Sequence, residues 1–81
     1  MKRRVTPTAD ASYRAAPDSI QKAFDKQARL LVENLRHPSL RAKKIDPSRD
    51  VWQARVNRDW RFVFQIVGDT YIILDIFPHP K

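Results

Sequence analysis

The feature that most constrains the fold is an alternation of apolar and polar side chains in residues 51–66, interrupted by the polar segment 57–59. A period of two is typical of a β-strand with one buried face, and a short polar break is typical of a hairpin loop. The pattern therefore predicts a sheet with one apolar and one polar face. The apolar face carries Trp52, Ala54, Val56, Trp60, Phe62, Phe64 and Ile66, and the polar face carries Gln53, Arg55, Arg61 and Gln65.

The register of this hairpin brings two arginines together. If residues 57–59 form the loop, Val56 pairs with Trp60, and Arg55 lies directly across from Arg61. Like charges that face each other across two strands destabilise a sheet. Since a fold does not need such a pair, the register indicates a polyanionic ligand.

The composition predicts one small folded domain over residues 1–81, because 42% of the residues are hydrophobic. The chain has no cysteine, which excludes disulfides and thiolate metal sites. His37 and His79 have no carboxylate at ligand spacing, so we predict no metal site and no cofactor. The sequence has no apolar run of membrane-spanning length and no apolar signal core at its N-terminus, which predicts no membrane partner and favours the cytoplasm.

Positive charge is concentrated in the middle of the chain. The net charge is +7, and residues 36–61 hold eight of the sixteen Lys and Arg side chains but only three of the nine Asp and Glu side chains. Such a patch is typical of a protein that binds a phosphate backbone or an acidic protein partner. A solvated surface that keeps a small protein soluble explains the same charge, so this alternative stays open.

The sequence pattern of the N-terminal part of the chain predicts a strand followed by two helices. Residues 2–6 predict a short edge strand, where the following proline is tolerated. Thr8 or Asp10 is expected to cap a short helix that ends at Ala16. Apolar residues at three-four spacing predict a second, longer helix over Pro17–Leu35.

Residues 36–50 form a basic connector that two prolines interrupt. Proline ends regular helices and is excluded from central strands, so no regular element is predicted in this segment. The connector contains two isolated apolar residues, Leu40 and Ile45. We expect both to anchor it to the core.

A third strand follows the turn at Gly68 and Asp69. Its pattern predicts that Ile72, Leu74 and Ile76 face the helices, which places Asp75 opposite, facing the arginines. A register slip of one residue would reverse this assignment. The predicted fold is α+β, with a small antiparallel sheet made of a short N-terminal strand plus a three-strand C-terminal meander, and two N-terminal helices packed on one face.

The polar sheet face is the surface best suited to chemistry. Arginine and lysine can hold a phosphate and stabilise the charge that grows during phosphoryl transfer. RNA supplies its own nucleophile, the 2′-OH, so positioning, charge stabilisation and proton transfer are enough to cleave it. Histidine is a suitable proton-transfer group, and an exposed His79 at a strand end is the competing interpretation. The further candidates for RNA contact are Lys43, Lys44, Gln53 and Arg58, each of which also fits a solvated surface.

Three segments of the chain share a recognisable order of residue types. An aromatic residue and an arginine precede a short turn, an aromatic–arginine pair and an apolar strand follow it, and a final strand ends near a histidine. The segments are residues 35–44 (LRHPSLRAKK), 51–64 (VWQARVNRDWRFVF) and 68–79 (GDTYIILDIFPH). Together they resemble the RelE/ParE superfamily of type II toxin–antitoxin toxins. The resemblance covers nearly the whole chain, including the order strand, helix, helix and three strands.

The resemblance implies roles for three residues. Arg61 matches the arginine that contacts the scissile phosphate in the endonucleases of the superfamily, and Arg55 matches the basic position on the preceding strand. His79 matches the histidine at the end of the last strand. The resemblance also implies a cognate antitoxin that masks the basic face and sets the oligomeric state, and a translating ribosome with its mRNA as the target.

Two departures from the superfamily pattern keep three functions open. Gln53 stands where the endonucleases favour lysine, and the sequence has no counterpart, after Lys81, of the arginine and tyrosine that those enzymes place there. The possible explanations are that His79 and Asp75 act instead, that the chain is truncated, or that the protein is not a ribonuclease. A ribosome-dependent, metal-independent mRNA endonuclease ranks first, followed by a gyrase-directed toxin and then a catalytically degenerate binding module.

Overall fold

The structure, a computed structural model, describes residues 1–80. The strands are β1 (Lys2–Val5), β2 (Lys43–Asp46), β3 (Val51–Arg55), β4 (Trp60–Val67) and β5 (Thr70–Pro78), and the helices are α1 (Pro7–Ala15) and α2 (Asp18–Glu33), with one 3₁₀ turn at Pro38–Leu40. The strands form one sheet in the order β1-β5-β4-β3-β2. Both helices pack on one face, which confirms the predicted α+β class. One pair departs from the antiparallel arrangement, since β1 runs parallel to β5.

Helix α1 begins earlier than predicted. The hydroxyl oxygen of Thr6 accepts a hydrogen bond from the backbone N–H of Ala9, so Thr6 is the capping residue. The prediction that Thr8 or Asp10 caps this helix was wrong. The reason is Pro7, which has no N–H to leave unsatisfied and a backbone angle already suited to the first helical position.

Helix α2 supplies the helical half of the core. It occupies Asp18–Glu33, slightly less than the predicted range, because Pro17 forms its N-cap and the helix ends at Glu33. The ring of Phe24 meets the ring of Phe62 on β4 edge-on, with centroids 5.3 Å apart. This contact joins the helix to the apolar sheet face. The residues that α2 buries are Ile20, Phe24, Gln27, Ala28 and Leu31.

The hairpin of β3 and β4 has the predicted register. Arg55 pairs with Arg61, and the backbone N–H of Val56 donates to the carbonyl of Trp60 at 3.0 Å. The predicted apolar face is confirmed, because its members are either fully buried or packed against the core. The fully buried members are Ala54, Val56, Phe62 and Phe64.

Strand β5 contains a β-bulge. Val63 pairs with Asp75, whereas the next residue of β4, Phe64, pairs with Ile73. Leu74 is therefore an extra residue on β5 with no partner on β4. A bulge of this kind shifts the alternation of side chains along the strand that carries it.

The bulge corrects the predicted faces of β5. Tyr71, Ile73 and Ile76 are buried, whereas Ile72 and Leu74 are only half-buried. The prediction that Ile72 and Leu74 face the helices was wrong, and that for Ile76 was right. An uninterrupted period of two cannot hold across an inserted residue, so residues before the bulge change faces.

Asp75 contacts α1 rather than the arginines. Its carboxylate accepts a hydrogen bond from the hydroxyl of Ser12 at 2.6 Å, and one from the backbone N–H of Ile76. The prediction that Asp75 faces the arginines was therefore wrong.

The basic connector contains a strand that the sequence did not indicate. β2 lies at the sheet edge beside β3, and its register shifts between Lys44 and Asp46. Ile45, at this shift, is 46% exposed, so the prediction that it anchors the connector was wrong. Leu40 is fully buried, which confirms the other predicted anchor.

Candidate functional site

A depression on the sheet face opposite the helices gathers most of the predicted site residues. We call this depression of about 250 Å³ the basic cleft. It includes all three residues that the resemblance assigns to catalysis. Its lining consists of Arg41, Lys43, Gln53, Ala54, Arg55, Arg61 and His79.

The strand register places the cationic side chains of the cleft. Lys43 on β2 pairs with Gln53 on β3, and Arg55 on β3 pairs with Arg61 on β4. Paired residues share a face of the sheet, and residues two apart on one strand share it as well. Three neighbouring strands therefore present lysine, glutamine and arginine side chains to the same side.

Arg61 is the least exposed cation of the cleft, with 8% of its surface accessible. Its Nη1 donates hydrogen bonds to the backbone carbonyls of Asn57 at 2.8 Å, Arg58 at 3.2 Å and Trp60 at 3.0 Å. These bonds satisfy one edge of the buried guanidinium. They also orient it, since a planar fork held at one edge has a defined direction for its remaining donors.

The surroundings of Arg61 favour an added negative charge. Burial lowers the pKa of its guanidinium from the ordinary value, and the charges of Arg55 and Arg41 act in the same direction. Asp59 opposes this shift and raises the pKa. A bound anion would relieve the repulsion among the three arginines, so the cleft is electrostatically suited to a phosphate.

His79 reaches the cleft from the end of β5. Its backbone N–H donates to the carbonyl of Asp59 at 2.7 Å, which attaches the strand end to the β3–β4 turn. The turn itself is closed by Asn57, whose side-chain oxygen accepts from the backbone N–H groups of Asp59 and Trp60, both at 2.9 Å. The side chain of His79 is exposed, so it is accessible to a ligand.

Two predicted RNA contacts lie outside the cleft. Lys44 pairs with Trp52, which places it on the opposite side of β2 from Lys43. There its Nζ forms an ion pair with Asp50 at 3.0 Å and lies 5.4 Å from the centre of the Trp52 ring. Arg58 projects from the β3–β4 turn into a separate depression beside His79.

Sequence reasoning missed Arg41 as a site residue. Arg41 ends the 3₁₀ turn in the left-handed backbone region, with φ of 47°, and its side chain lines the basic cleft. Left-handed backbone is uncommon for arginine. The only signal in the sequence was its membership in the basic connector, and that signal did not distinguish it from its neighbours.

The arrangement as a whole suits the binding of an anion. Arg41, Lys43, Arg55 and Arg61 converge on one depression, and no carboxylate among residues 1–80 lines it. Within the same residues, no group of three or more His, Cys, Asp or Glu side chains could hold a metal ion. Neither helix in the described part of the chain has the length and apolar character needed to cross a membrane.

The fold and the cleft define a class of small α+β proteins with a basic sheet face. The family model described as the ParE toxin of the type II toxin–antitoxin system, parDE, matches residues 3–80. The chain belongs to this ParE toxin family, within the RelE/ParE superfamily. No curated protein sequence matches the chain.

Solved structures show the same fold at low sequence identity. The YoeB/ParE toxin from Agrobacterium tumefaciens superposes with a TM-score of 0.81 and 14% identity, covering 99% of this chain and 100% of that one. The heterotetrameric YoeB–YefM toxin–antitoxin complex from Staphylococcus aureus superposes with a TM-score of 0.78 and 15% identity, covering 99% of this chain and 98% of that one. The archaeal RelE–RelB complex from Pyrococcus horikoshii superposes with a TM-score of 0.78 and 16% identity, covering 95% of this chain and 92% of that one.

Proposed function

We propose that this type II toxin is an endoribonuclease that cleaves mRNA on translating ribosomes in the cytoplasm. The single observation that carries the proposal is the convergence of Arg55, Arg61 and His79 on the basic cleft. Two arginines that face each other across a sheet are costly for the fold, and an RNA phosphate between them is a sufficient reason to keep them.

Each of the three residues has a distinct role in the proposed reaction. The RNA 2′-oxygen attacks the adjacent phosphorus, the bond from phosphorus to the 5′-oxygen breaks, and a 2′,3′-cyclic phosphate forms. Arg61 and Arg55 bind the phosphate oxygens, where negative charge grows in the transition state. His79 donates the proton that the departing 5′-oxygen takes up, and the proton of the 2′-OH passes to water.

A translation reaction with end-labelled mRNA tests this function. Wild-type protein should cleave the message only when ribosomes are translating it. Arg61→Ala and Arg55→Ala should abolish cleavage, and His79→Ala should slow it. Lys22→Ala is the control, since the exposed Lys22 of α2 lies outside the cleft and the variant should cleave as wild type does.

Because Arg61 also binds turn carbonyls, its variant needs a folding control. Circular dichroism and the thermal midpoint of Arg55→Ala and Arg61→Ala separate loss of chemistry from loss of structure. A folded, fully active Arg61→Ala protein would contradict the proposed role of Arg61. Intact mRNA with folded wild-type protein on translating ribosomes would contradict the function itself.

We infer further that a cognate antitoxin binds this protein and masks the basic cleft. The proposal is supported by family membership and by solved complexes of related folds, in which YoeB is bound to YefM and RelE to RelB. Co-expression with the product of a neighbouring reading frame should restore growth and yield a stable complex. A purified complex that still cleaves mRNA would contradict masking of the cleft, and its mass gives the oligomeric state.

A gyrase-directed activity is the second candidate, and the ParE family match favours it. The three carbonyls that Arg61 already binds also allow a structural role for this residue in place of catalysis. A supercoiling assay with purified gyrase distinguishes the two toxins, because only the gyrase-directed one should inhibit the reaction. Salt-sensitive RNA binding without toxicity in either assay would identify a degenerate binding module instead.

A further inference from the structure

A second, larger depression adjoins the basic cleft on the side of α2. We call it the helix-side groove; its volume is about 530 Å³. It lies between α2, the 3₁₀ turn and the β3–β4 turn. Arg41 and Arg55 line both depressions, so the two are adjacent and share these side chains as a common wall.

The helix-side groove is as cationic as the cleft. Lys26 of α2, Arg41, Arg55 and Arg58 line it, and no carboxylate from the described residues does so. None of the four forms an ion pair within residues 1–80. Four unpaired positive charges around one open depression repel one another, and this repulsion is relieved by a bound anion.

A buried glutamine holds the walls of the groove in place. Gln27 is 6% exposed, and its amide nitrogen donates to the carbonyl of Ser39 at 3.1 Å and to the carbonyl of Arg55 at 3.0 Å. Its amide oxygen accepts from the hydroxyl of Ser39 at 3.3 Å. One side chain thus joins α2 to the 3₁₀ turn and to the end of β3, so the backbone segments from which Arg41 and Arg55 extend are held in place before any ligand binds.

We propose that the helix-side groove binds a second phosphate of the RNA strand whose scissile phosphate occupies the basic cleft. The strand then runs from the cleft past Arg41 and Arg55 toward Lys26. This inference rests on the proposed ribonuclease function and adds the path of its substrate. A single strand carries one negative charge at each nucleotide, which matches two adjoining depressions that share two arginines.

The experiment compares two lysines of the same helix. Lys26 lines the groove, whereas the exposed Lys22, one turn earlier on α2, lines neither of the two depressions. Fluorescence anisotropy of labelled 2′-O-methyl oligoribonucleotides measures binding without cleavage, because the nucleophile is blocked. Each variant is measured with oligonucleotides of increasing length and over a series of salt concentrations.

Lys26→Gln should weaken binding and lower the slope of log K against log salt by about 0.7, the value for one phosphate contact on a single strand. It should also reduce the gain in affinity that the wild type shows as the oligonucleotide lengthens into the groove, where Arg41, Arg55 and Arg58 remain. Lys22→Gln should leave both quantities at their wild-type values. Circular dichroism of the two variants should be the same as that of the wild type, since both lysines are exposed.

The contrary outcomes separate this inference from the proposed function. Suppose that Lys26→Gln and Lys22→Gln have equal salt slopes while Arg55→Gln still weakens RNA binding. The second phosphate site is then contradicted, and phosphate binding in the basic cleft is still supported. If Lys26→Gln weakens only the complex with an acidic antitoxin, the groove binds that partner and the inference is overturned. If, in addition, Arg55→Gln binds RNA as tightly as wild type does, both the second phosphate site and the proposed ribonuclease function are contradicted.

Discussion

Arg55 and Arg61 lie directly opposite each other on β3 and β4, on the sheet face away from the helices. The two guanidinium groups are not equivalent. Arg61 is buried and donates to three carbonyls of its own turn, whereas Arg55 is half-buried. Arg61 is therefore held by the fold, and Arg55 supplies the nearby like charge that raises the energy of the unliganded protein.

Removal of this repulsion should stabilise the fold. Arg55→Gln keeps a polar side chain on β3 and eliminates the charge opposite Arg61, so the free energy of unfolding should rise by about 0.2–1 kcal/mol. Urea denaturation measures the change. Arg4→Gln on β1 is the control, because Arg4 pairs with Ile72 and not with a cation. The prediction fails if Arg55→Gln is no more stable than wild type, or if Arg4→Gln gains as much.

Removal of the buried amide should destabilise the protein. Gln27→Ala leaves the carbonyls of Ser39 and Arg55 without their donor, and a lost buried hydrogen bond of this kind costs about 1–3 kcal/mol. Urea denaturation should show this decrease in the free energy of unfolding. In the control variant Gln65→Ala, only an exposed hydrogen bond to the carbonyl of Arg49 is lost, so the change should be much smaller. Equal losses in the two variants would contradict the role given to Gln27.

Replacement of Arg41 should weaken RNA binding without a matching loss in the free energy of unfolding. Glycine adopts the left-handed backbone of this position readily, so Arg41→Gly should leave the free energy of unfolding within about 0.5 kcal/mol of wild type. Because the variant loses a cation of the basic cleft, RNA binding should weaken and its salt slope should fall by about 0.7. Arg41→Ala, which keeps the strained backbone, should be less stable than Arg41→Gly. Wild-type RNA affinity in both variants would remove Arg41 from the site.

The loop after β2 should contribute to stability at acidic pH. Hydrogen bonds from Ser48 and Arg49 lower the pKa of Asp46 from its ordinary 3.8 to about 2. A carboxylate with a lowered pKa in the folded state stabilises the protein above pH 3.8, and this contribution is lost as the pH falls toward 2. Wild type should therefore lose more stability than Asp46→Asn between pH 4 and pH 2.

Thermal unfolding across this pH range measures the difference. Ser48→Ala provides an internal control, because it removes the largest cause of the shift and should fall between wild type and Asp46→Asn. Parallel pH profiles for wild type and Asp46→Asn would show that the loop does not contribute in this way.

Much of the site follows from local sequence. The period of two in residues 51–66 predicts the two faces of the hairpin, and the short polar loop sets its register, so Arg55 and Arg61 could be placed opposite each other from the sequence. The apolar spacing of α2 is equally local. Neighbours along the chain decide such patterns, and no distant partner is needed to detect them.

Other features were decided only by pairing between distant segments. The bulge at Leu74 is defined by the pairing of β5 with β4, and the hydroxyl of the distant Thr6 donates to the carbonyls of Ile73 and Leu74 at the same place. Strand β2 exists because its backbone pairs with β3, although its own residues, KKID, show no strand pattern. That pairing sends Lys43 to the cleft and Lys44 to the opposite face.

The sequence by itself thus determined the helices, the hairpin and its facing arginines, because side-chain periodicity and turn residues act over a few neighbouring positions. The tertiary structure alone decided that Arg41 joins the basic cleft and that Lys26 shares a groove with Arg55. Those positions depend on how α2, the 3₁₀ turn and β3 are held together. Gln27 of α2 joins these three elements through hydrogen bonds to partners that lie 12 and 28 residues away in the chain.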